Sequence, residues 1–326
     1  MTAAAIDSCR SLSLSRKLLW FCLGYSLLAL CLFPQTFLAL AGQYPILRFF
    51  FMIPVLISVG LLVAGIVHAP RAPVSWIRQK LADRGIGAAI IILVLIVSAT
   101  AFTTYKHEYS KLVPFFADPV LAEIDRTLHF GDPWTWLRAI VHPGLDYTFF
   151  LLYSALWFIE VLTGILVAAF LADRHARARY FASFTVSVIL LSSVIRVAGS
   201  SSGPILYDRV TGGSRFAELI AELEASPAGP QVLELTNYLY TSYATDTMVL
   251  GTGISAMPSL HVAIAFLNAL FFASINRVAG VIAWAYAAFI MFGSVYFGWH
   301  YAIDGYVSIA VVLLFWKLFS ARTQAA

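Results

Sequence analysis

Apolar residues in this chain fall into long uninterrupted blocks: 18–41, 47–68, 86–105, 147–172, 180–198, 259–275, 279–297 and 302–319. About 20 predominantly apolar residues in a helix cross the hydrocarbon of a bilayer. None of the blocks alternates apolar and polar residues as a barrel strand does. The pattern therefore predicts an all-α fold, a polytopic transmembrane helical bundle of about eight spans. The 60% hydrophobic and 12% charged composition, with mean hydropathy +0.83, points to lipid as the main solvent, because soluble domains carry about twice that charged fraction.

The polar positions divide the chain further. Two long connections, 106–146 and 199–258, lie between blocks and themselves carry helical periodicity. In the first, Phe115-Phe116-Ala117-Asp118-Pro119 leads to Leu121, Ile124, Leu128 and Phe130, and then to Trp134 and Trp136. This spacing predicts an amphipathic helix in the headgroup zone with Trp at the interface. In the second, Ser214 is the expected N-cap of a helix running to Leu223, and the stretch from Pro230 through Leu239 and Tyr243 is expected to be another. The expected organisation is N-terminal spans over 1–105, an outer interfacial segment over 106–146, a catalytic helical core over 147–319 that includes outer loop 199–258, and a tail over 320–326.

Basic residues then orient the bundle. Arg10, Arg16 and Lys17 precede the first block, and Arg71, Arg78, Lys80 and Arg84 follow the second. Arg174, Arg177 and Arg179 follow the fourth, Arg277 follows the sixth, and Lys317 and Arg322 close the chain. With eight alternating spans all of them share one side, which the positive-inside rule makes cytoplasmic. The reading is a multi-pass integral membrane protein, such as one of a bacterial inner membrane, with both termini cytoplasmic and the long connections facing the periplasm or lumen. A net charge of +4, dispersed in this way, argues for membrane orientation and against nucleic acid as a partner. Ala39-Leu40-Ala41 has the look of a leader cleavage site, but the preceding apolar run is longer than a leader's, so a retained span is expected. Cys9, Cys22 and Cys31 form no metal-type pair.

Polar groups at membrane depth are costly and mark function. Met257-Pro258-Ser259-Leu260-His261 opens the sixth block, with Pro258 expected in the first helical turn. The Ser259 hydroxyl and the free N–H groups of that turn make an anion site beside His261. Gly298-Trp299-His300-Tyr301-Ala302-Ile303-Asp304 opens the eighth block. The i,i+4 spacing puts His300 and Asp304 on one helix face, where the carboxylate can fix the imidazole tautomer. The sixth and eighth spans run in the same direction, so both histidines are expected at the outer edge. One can attack phosphorus while the other protonates the leaving oxygen.

Pro258-Ser259-Leu260-His261 resembles the PSGH motif of the type 2 phosphatidic acid phosphatase superfamily, with Leu in place of Gly. His300-Tyr301-Ala302-Ile303-Asp304 resembles the HxxxD half of its SRxxxxxHxxxD motif. The resemblance covers about 147–319. It implies His300 as the nucleophile that becomes phosphorylated, Asp304 as its orienter, His261 as general acid and Ser259 on the phosphate, with no metal and no cofactor. The KxxxxxxRP motif maps onto Arg196 through Gly203-Pro204, and Gly293-Ser294 stands where Ser-Arg is expected, so two phosphate-binding arginines are absent. A phosphodiester, carrying one charge, suits such a site better than a monoester. The motif form also resembles the inositol phosphorylceramide synthase and sphingomyelin synthase branch, which moves a phospho-headgroup between lipids. The partners implied are a lipid substrate and a hydroxyl acceptor or water. Simple dephosphorylation remains the alternative, as does a non-catalytic scaffold of the same descent.

Arg196, Arg209 and Arg215 are further candidates for phosphate contact, and Arg196 has the competing option of snorkelling to headgroups. Asp118, Asp125 and Asp132 are too widely spaced to read as a metal cluster. His107, His129 and His142 receive no role. Glu160 reads either as a polar contact between helices or as a wall of the site.

Overall fold

The computed structural model describes residues 3–43, 46–247, 251 and 253–324, with side chains over 16–43, 54–247, 251 and 253–320. Cys9, Arg10 and Arg322 lie outside the described side chains. All the regular secondary structure among the described residues is helical, with no strand among them. An all-α polytopic membrane protein is what the apolar pattern produces.

The first block differs from expectation. Instead of one straight span, helix α1 (Ala3–Leu32) and helix α2 (Pro34–Gln43) meet at a 115° bend. Pro34 has no N–H to donate and restricts the conformation of Phe33 before it, so the helix breaks there although both sides are apolar. α2 then lies against the C-terminal end of α4 (Pro73–Leu112), where the Thr36 hydroxyl donates to the Glu108 carboxylate. Between them comes α3 (Ile46–His68), the second expected span.

α4 is longer than predicted. Its 40 residues rise about 60 Å, twice the roughly 30 Å of hydrocarbon. It takes in both the basic stretch before the third block and residues 106–112 after it. No proline or glycine follows Gly87 until Pro114, and Arg78, Lys80 and Arg84 are good helix formers.

The first outer connection folds into α5 (Asp118–Leu128) and α6 (Pro133–Ile140). Trp134 is only 4% exposed, so it belongs to the core and not the interface, whereas Trp136 is 47% exposed. Next come α7 (Asp146–Phe170) and α8 (Arg174–Ala198), the latter containing a π-helical turn over Leu190–Ile195. The second outer connection carries α9 (Pro204–Thr211), α10 (Ala217–Glu224) and α11 (Gly229–Ala244). Ser214 is not the N-cap of α10; Phe216 holds that position without a side-chain bond, and the Ser214 carbonyl accepts from Ala217 N.

The last three helices are α12 (Leu260–Ile275), α13 (Arg277–Tyr296) and α14 (Ala302–Gln324). α12 packs against α7, α8, α13 and α14, which makes it the axis of the bundle. By length and apolarity five helices can each cross a bilayer, six if the bent α1–α2 pair forms one crossing, against the eight expected. The shortfall falls on shorter helices: α12 has 16 residues, and α3 offers Pro54–His68 among the described side chains.

One continuous apolar core joins the helices of the two long connections to the bundle. Leu121, Trp134, Leu206, Phe216, Leu219 and Val232 pack in the same cluster as Val262, Ala265 and Tyr296. The outer helices are therefore part of the folded body, and they bury the segment that carries His300.

Candidate active site

The extended segment 253–259 feeds α12. Ser259 is the N-cap, its hydroxyl oxygen accepting from Val262 N at 3.4 Å, so the helix begins at Leu260. Pro258 thus sits before the first turn and not within it. Ser259 is fully buried, and its oxygen already caps the helix, although its O–H remains available as a donor. His261 follows in the first turn. Its ring stacks on Tyr153 at 5.0 Å and 10° and lies 4.1 Å from the Trp157 ring, both on α7. The Trp157 indole N–H donates to the His261 carbonyl at 3.2 Å.

Gly293 makes that stack possible, because a Cβ there would lie 2.8 Å from the Tyr153 ring. Ser294, at the place where the resemblance expects arginine, is buried; its hydroxyl donates to the Met291 carbonyl and its own carbonyl accepts from His300 N. An aromatic wall therefore stands where a cation was expected.

His300 lies just ahead of α14. Its Nδ1 sits 2.7 Å from the Ala256 carbonyl and 3.4 Å from Asp304 Oδ2. A carbonyl only accepts, so the proton is on Nδ1 and the Nε2 lone pair is left available. The sequence spacing predicts Asp304 as the partner; the shorter bond is to Ala256, and the carboxylate stands just beyond it. Asp304 is fully buried, takes Tyr301 N on Oδ2 at 3.0 Å, and has no partner on Oδ1 among the described residues. Its carboxyl group stands beside the imidazole, 3.4 Å from Nδ1.

The His261 and His300 ring centroids lie 6.4 Å apart. The two imidazoles are therefore close neighbours, tilted at 55° to one another.

Two aspartates that carried no expected role, Asp118 and Asp125, hold this arrangement. The Asp118 carboxylate accepts from Ser202 N at 2.7 Å, Ser202 Oγ at 2.9 Å, Gly203 N at 3.0 Å and the Tyr301 hydroxyl at 2.8 Å. Burial pushes its carboxyl above the usual range, while those four donors pull it back. Asp125 caps α14 from another helix, accepting from Ala302 N at 2.7 Å and Ile303 N at 2.9 Å. Burial raises its carboxyl too, opposed by the same two N–H groups. Asp132 pairs with Arg215 at 3.0 Å. Among the described residues no group of three His, Cys, Asp or Glu could hold a metal ion. A sequence reader could have found Asp118 and Asp125 from their seven-residue spacing on an amphipathic helix, which puts both on its inner face.

The expected phosphate arginines are placed differently. Arg196 is 5% exposed and donates to the carbonyls of Tyr105 at 3.2 Å, Lys106 at 2.7 Å and Ile254 at 2.9 Å, and to Ser110 Oγ at 2.7 Å. It ties α4 to the segment leading into α12. Arg209 is exposed on α9, bonded to Asn237 at 2.6 Å and lying over the Tyr240 ring. Arg215 is held by Asp132 and the Ala122 carbonyl. Glu160 lies deeper, beside a polar contact in which the Tyr180 hydroxyl donates to Asn268 Oδ1 and Asn268 Nδ2 donates to the Glu160 carbonyl. Polar side chains are therefore not confined to the end of the bundle that carries the histidines.

Arg196→Met is expected to act on folding. Each acceptor stranded by the loss costs about 1–3 kcal/mol, so the thermal midpoint in detergent should fall markedly. A variant as stable as wild type that has lost turnover would restore Arg196 to the phosphate.

A family model described as the PAP2 superfamily matches residues 119–318, more than half of the chain. No curated protein and no solved structure matches the chain.

Proposed function

The chain belongs to the PAP2 superfamily, a family of phosphatase-type enzymes of lipid phosphates, and on that premise we propose that His300 and His261 transfer the phosphorus group of a membrane lipid through a phosphohistidine. The 6.4 Å separation of the two rings carries this reading. His300 Nε2 attacks phosphorus, and the N–P bond forms as the bond to the leaving oxygen breaks. His261 gives its proton to that oxygen. The imidazolium created on His300 keeps its Nδ1 proton on the Ala256 carbonyl, and the Asp304 charge stabilises it. An acceptor hydroxyl then loses its proton to His261, attacks phosphorus and releases His300.

Transfer of a phospho-headgroup to a second lipid is favoured over hydrolysis, and a phosphodiester over a monoester. The Tyr153–Trp157 wall lies against His261 and Ser294 accepts from His300 N, neither adding positive charge, which suits a group with a single negative charge. Asp118 and Asp125 act as positioning residues for the 297–304 segment, and Ser259 donates its O–H to the phosphate. The site faces the non-cytoplasmic side, since Arg84, Arg177 and Arg179 collect at the opposite end of the bundle, where Arg179 stacks on Trp316 near the end of α14.

Incubating the purified protein with phosphorus-labelled phosphodiester and phosphomonoester lipids, in a chelated buffer with an acceptor lipid, separates the readings. Label in a new lipid is the expected product. Label released only into water, as inorganic phosphate from the monoester or as a phosphorylated headgroup from the diester, establishes hydrolysis, and no conversion of any lipid points to the scaffold.

A further inference from the structure

We infer that α5 is an interfacial anchor: Val120, Ile124, Leu128 and Phe130 rest in the boundary between lipid headgroups and acyl chains, and so seat the His300 segment at the depth of lipid phosphates. The anchoring surface stands apart from the chemistry; its use in catalysis rests on the proposed His300–His261 reaction.

Three kinds of surface run along α5. Asp118, Leu121, Ala122 and Asp125 are buried against the rest of the protein. Val120, Ile124 and Leu128, each four residues from the next, are exposed and apolar. Glu123, Arg126 and Thr127 are exposed and polar, with Arg126 bonding Glu123 at 2.8 Å. At 3.6 residues per turn these sets point about a third of a turn apart. A surface helix of a protein in water needs one buried face and one polar face. A further face, apolar and uncovered, belongs to a helix that lies between protein, water and lipid.

The end of α5 is a separate sign. His129 N donates to Asp125 O at 3.1 Å and Gly131 N to Arg126 O at 2.9 Å, the closure in which the residue between them turns left-handed. Glycine is the usual occupant of that place. Here it is Phe130, with φ 57° and a relative exposure of 100%. An L side chain is strained in this conformation, and no described residue covers the ring. Strain kept without any return from packing marks a functional position. A phenyl ring projected from the end of an amphipathic helix is suited to acyl chains.

Height decides the occupant. His129 donates through Nδ1 to the Asp125 carbonyl at 2.7 Å, and its Nε2 lies 2.9 Å from the Tyr306 hydroxyl. Tyr306 is in the second turn of α14, a helix long and apolar enough to cross a bilayer, and is itself exposed. His129 and its neighbour Phe130 therefore stand beside the first turns of a span, where hydrocarbon gives way to headgroups. The stripe ends at Leu128, next to this contact, and holds no charged residue, so acyl chains suit it and a charged partner does not. Asp125 ties the same helix to Ala302 N and Ile303 N, just after His300. The depth of α5 in the bilayer therefore fixes the depth of the imidazole.

The test uses the full chain with Cys9→Ser and Cys31→Ser, Cys22 being buried, reconstituted in vesicles of phosphatidylethanolamine and phosphatidylglycerol. A nitroxide is attached after Ile124→Cys, Leu128→Cys or Phe130→Cys, and for comparison after Glu123→Cys or Thr127→Cys. Collision with oxygen, which enters lipid, and with a water-soluble nickel chelate, which does not, is read by electron paramagnetic resonance. The oxygen-to-nickel ratio is expected to be several-fold higher at 124, 128 and 130 than at 123 and 127. Equal ratios at all five positions would put α5 in water, and protection of 124, 128 and 130 from both reagents would mean that protein covers them; either overturns the anchor. Phe130→Gly, which relieves the left-handed strain, is expected to leave the thermal midpoint in detergent unchanged or higher, and a lower midpoint would show that the ring packs within the protein. Labels in lipid combined with no turnover of any lipid by wild type would sink the histidine chemistry and leave the anchor standing.

Discussion

His300→Ala is expected to lower turnover of any lipid the wild type accepts by at least about ten-thousand-fold, the scale on which losing a covalent nucleophile is felt. Lipid and orthovanadate binding should survive, because His300 is held from outside by Ala256, Ser294 and the helices above it and does not hold them. Asp304→Asn should fall nearly as far. The amide can no longer balance an imidazolium, and its NH2 group, turned toward Nδ1, competes with the tautomer that leaves Nε2 free. Steady-state assays over several decades of enzyme concentration check both variants. Turnover by His300→Ala within ten-fold of wild type would remove it as nucleophile.

The second large effect belongs to His261. As general acid its loss is expected to cost about 100- to 10,000-fold on a lipid whose leaving group is an alkoxide. The loss should nearly vanish on a p-nitrophenyl phosphodiester, whose leaving group departs without a proton. His261→Ala and His261→Gln, assayed on both substrates, give the ratio directly. A structural role predicts equal losses on the two, because the Tyr153 and Trp157 rings would then have lost their partner in either assay. A leaving-group dependence cannot arise from repacking alone.

Much of this was legible in the residues. Continuous apolar blocks impose helices in lipid, and His300 with Asp304 at i,i+4 beside Pro258-Ser259-Leu260-His261 marks the place where polar groups are too costly to be idle. Both outer connections carry helices in the expected stretches, since the 3.6 period survives in short segments such as Val120–Leu128. What was not legible depends on tertiary neighbours. Arg196 has the sequence position of a phosphate ligand, but the π-turn ahead of it and the free carbonyls of Tyr105, Lys106 and Ile254 make it a clamp. The reach of α4 was hidden too, since a boundary at 105 assigns the next residues to a loop whereas the helix continues to Leu112.

The bend at Pro34 was hidden by composition, because an average over apolar residues gives one proline too little weight. Asp118 and Asp125 are too widely spaced for a metal cluster; they are the anchors for backbone N–H groups on segments 84 to 178 residues away in sequence. Their seven-residue spacing marks a shared helix face, but which distant segments they anchor has no local signal.

The central claim, that phosphorus passes through the imidazole of His300, is tested most directly by rapid acid-free quenching of the purified protein mixed with a phosphorus-labelled lipid, followed by peptide mapping. The account predicts alkali-stable, acid-labile label on the peptide that contains His300, formed and discharged as fast as turnover and absent from His300→Ala. Turnover without any label on that peptide, or label on a different side chain, would contradict it.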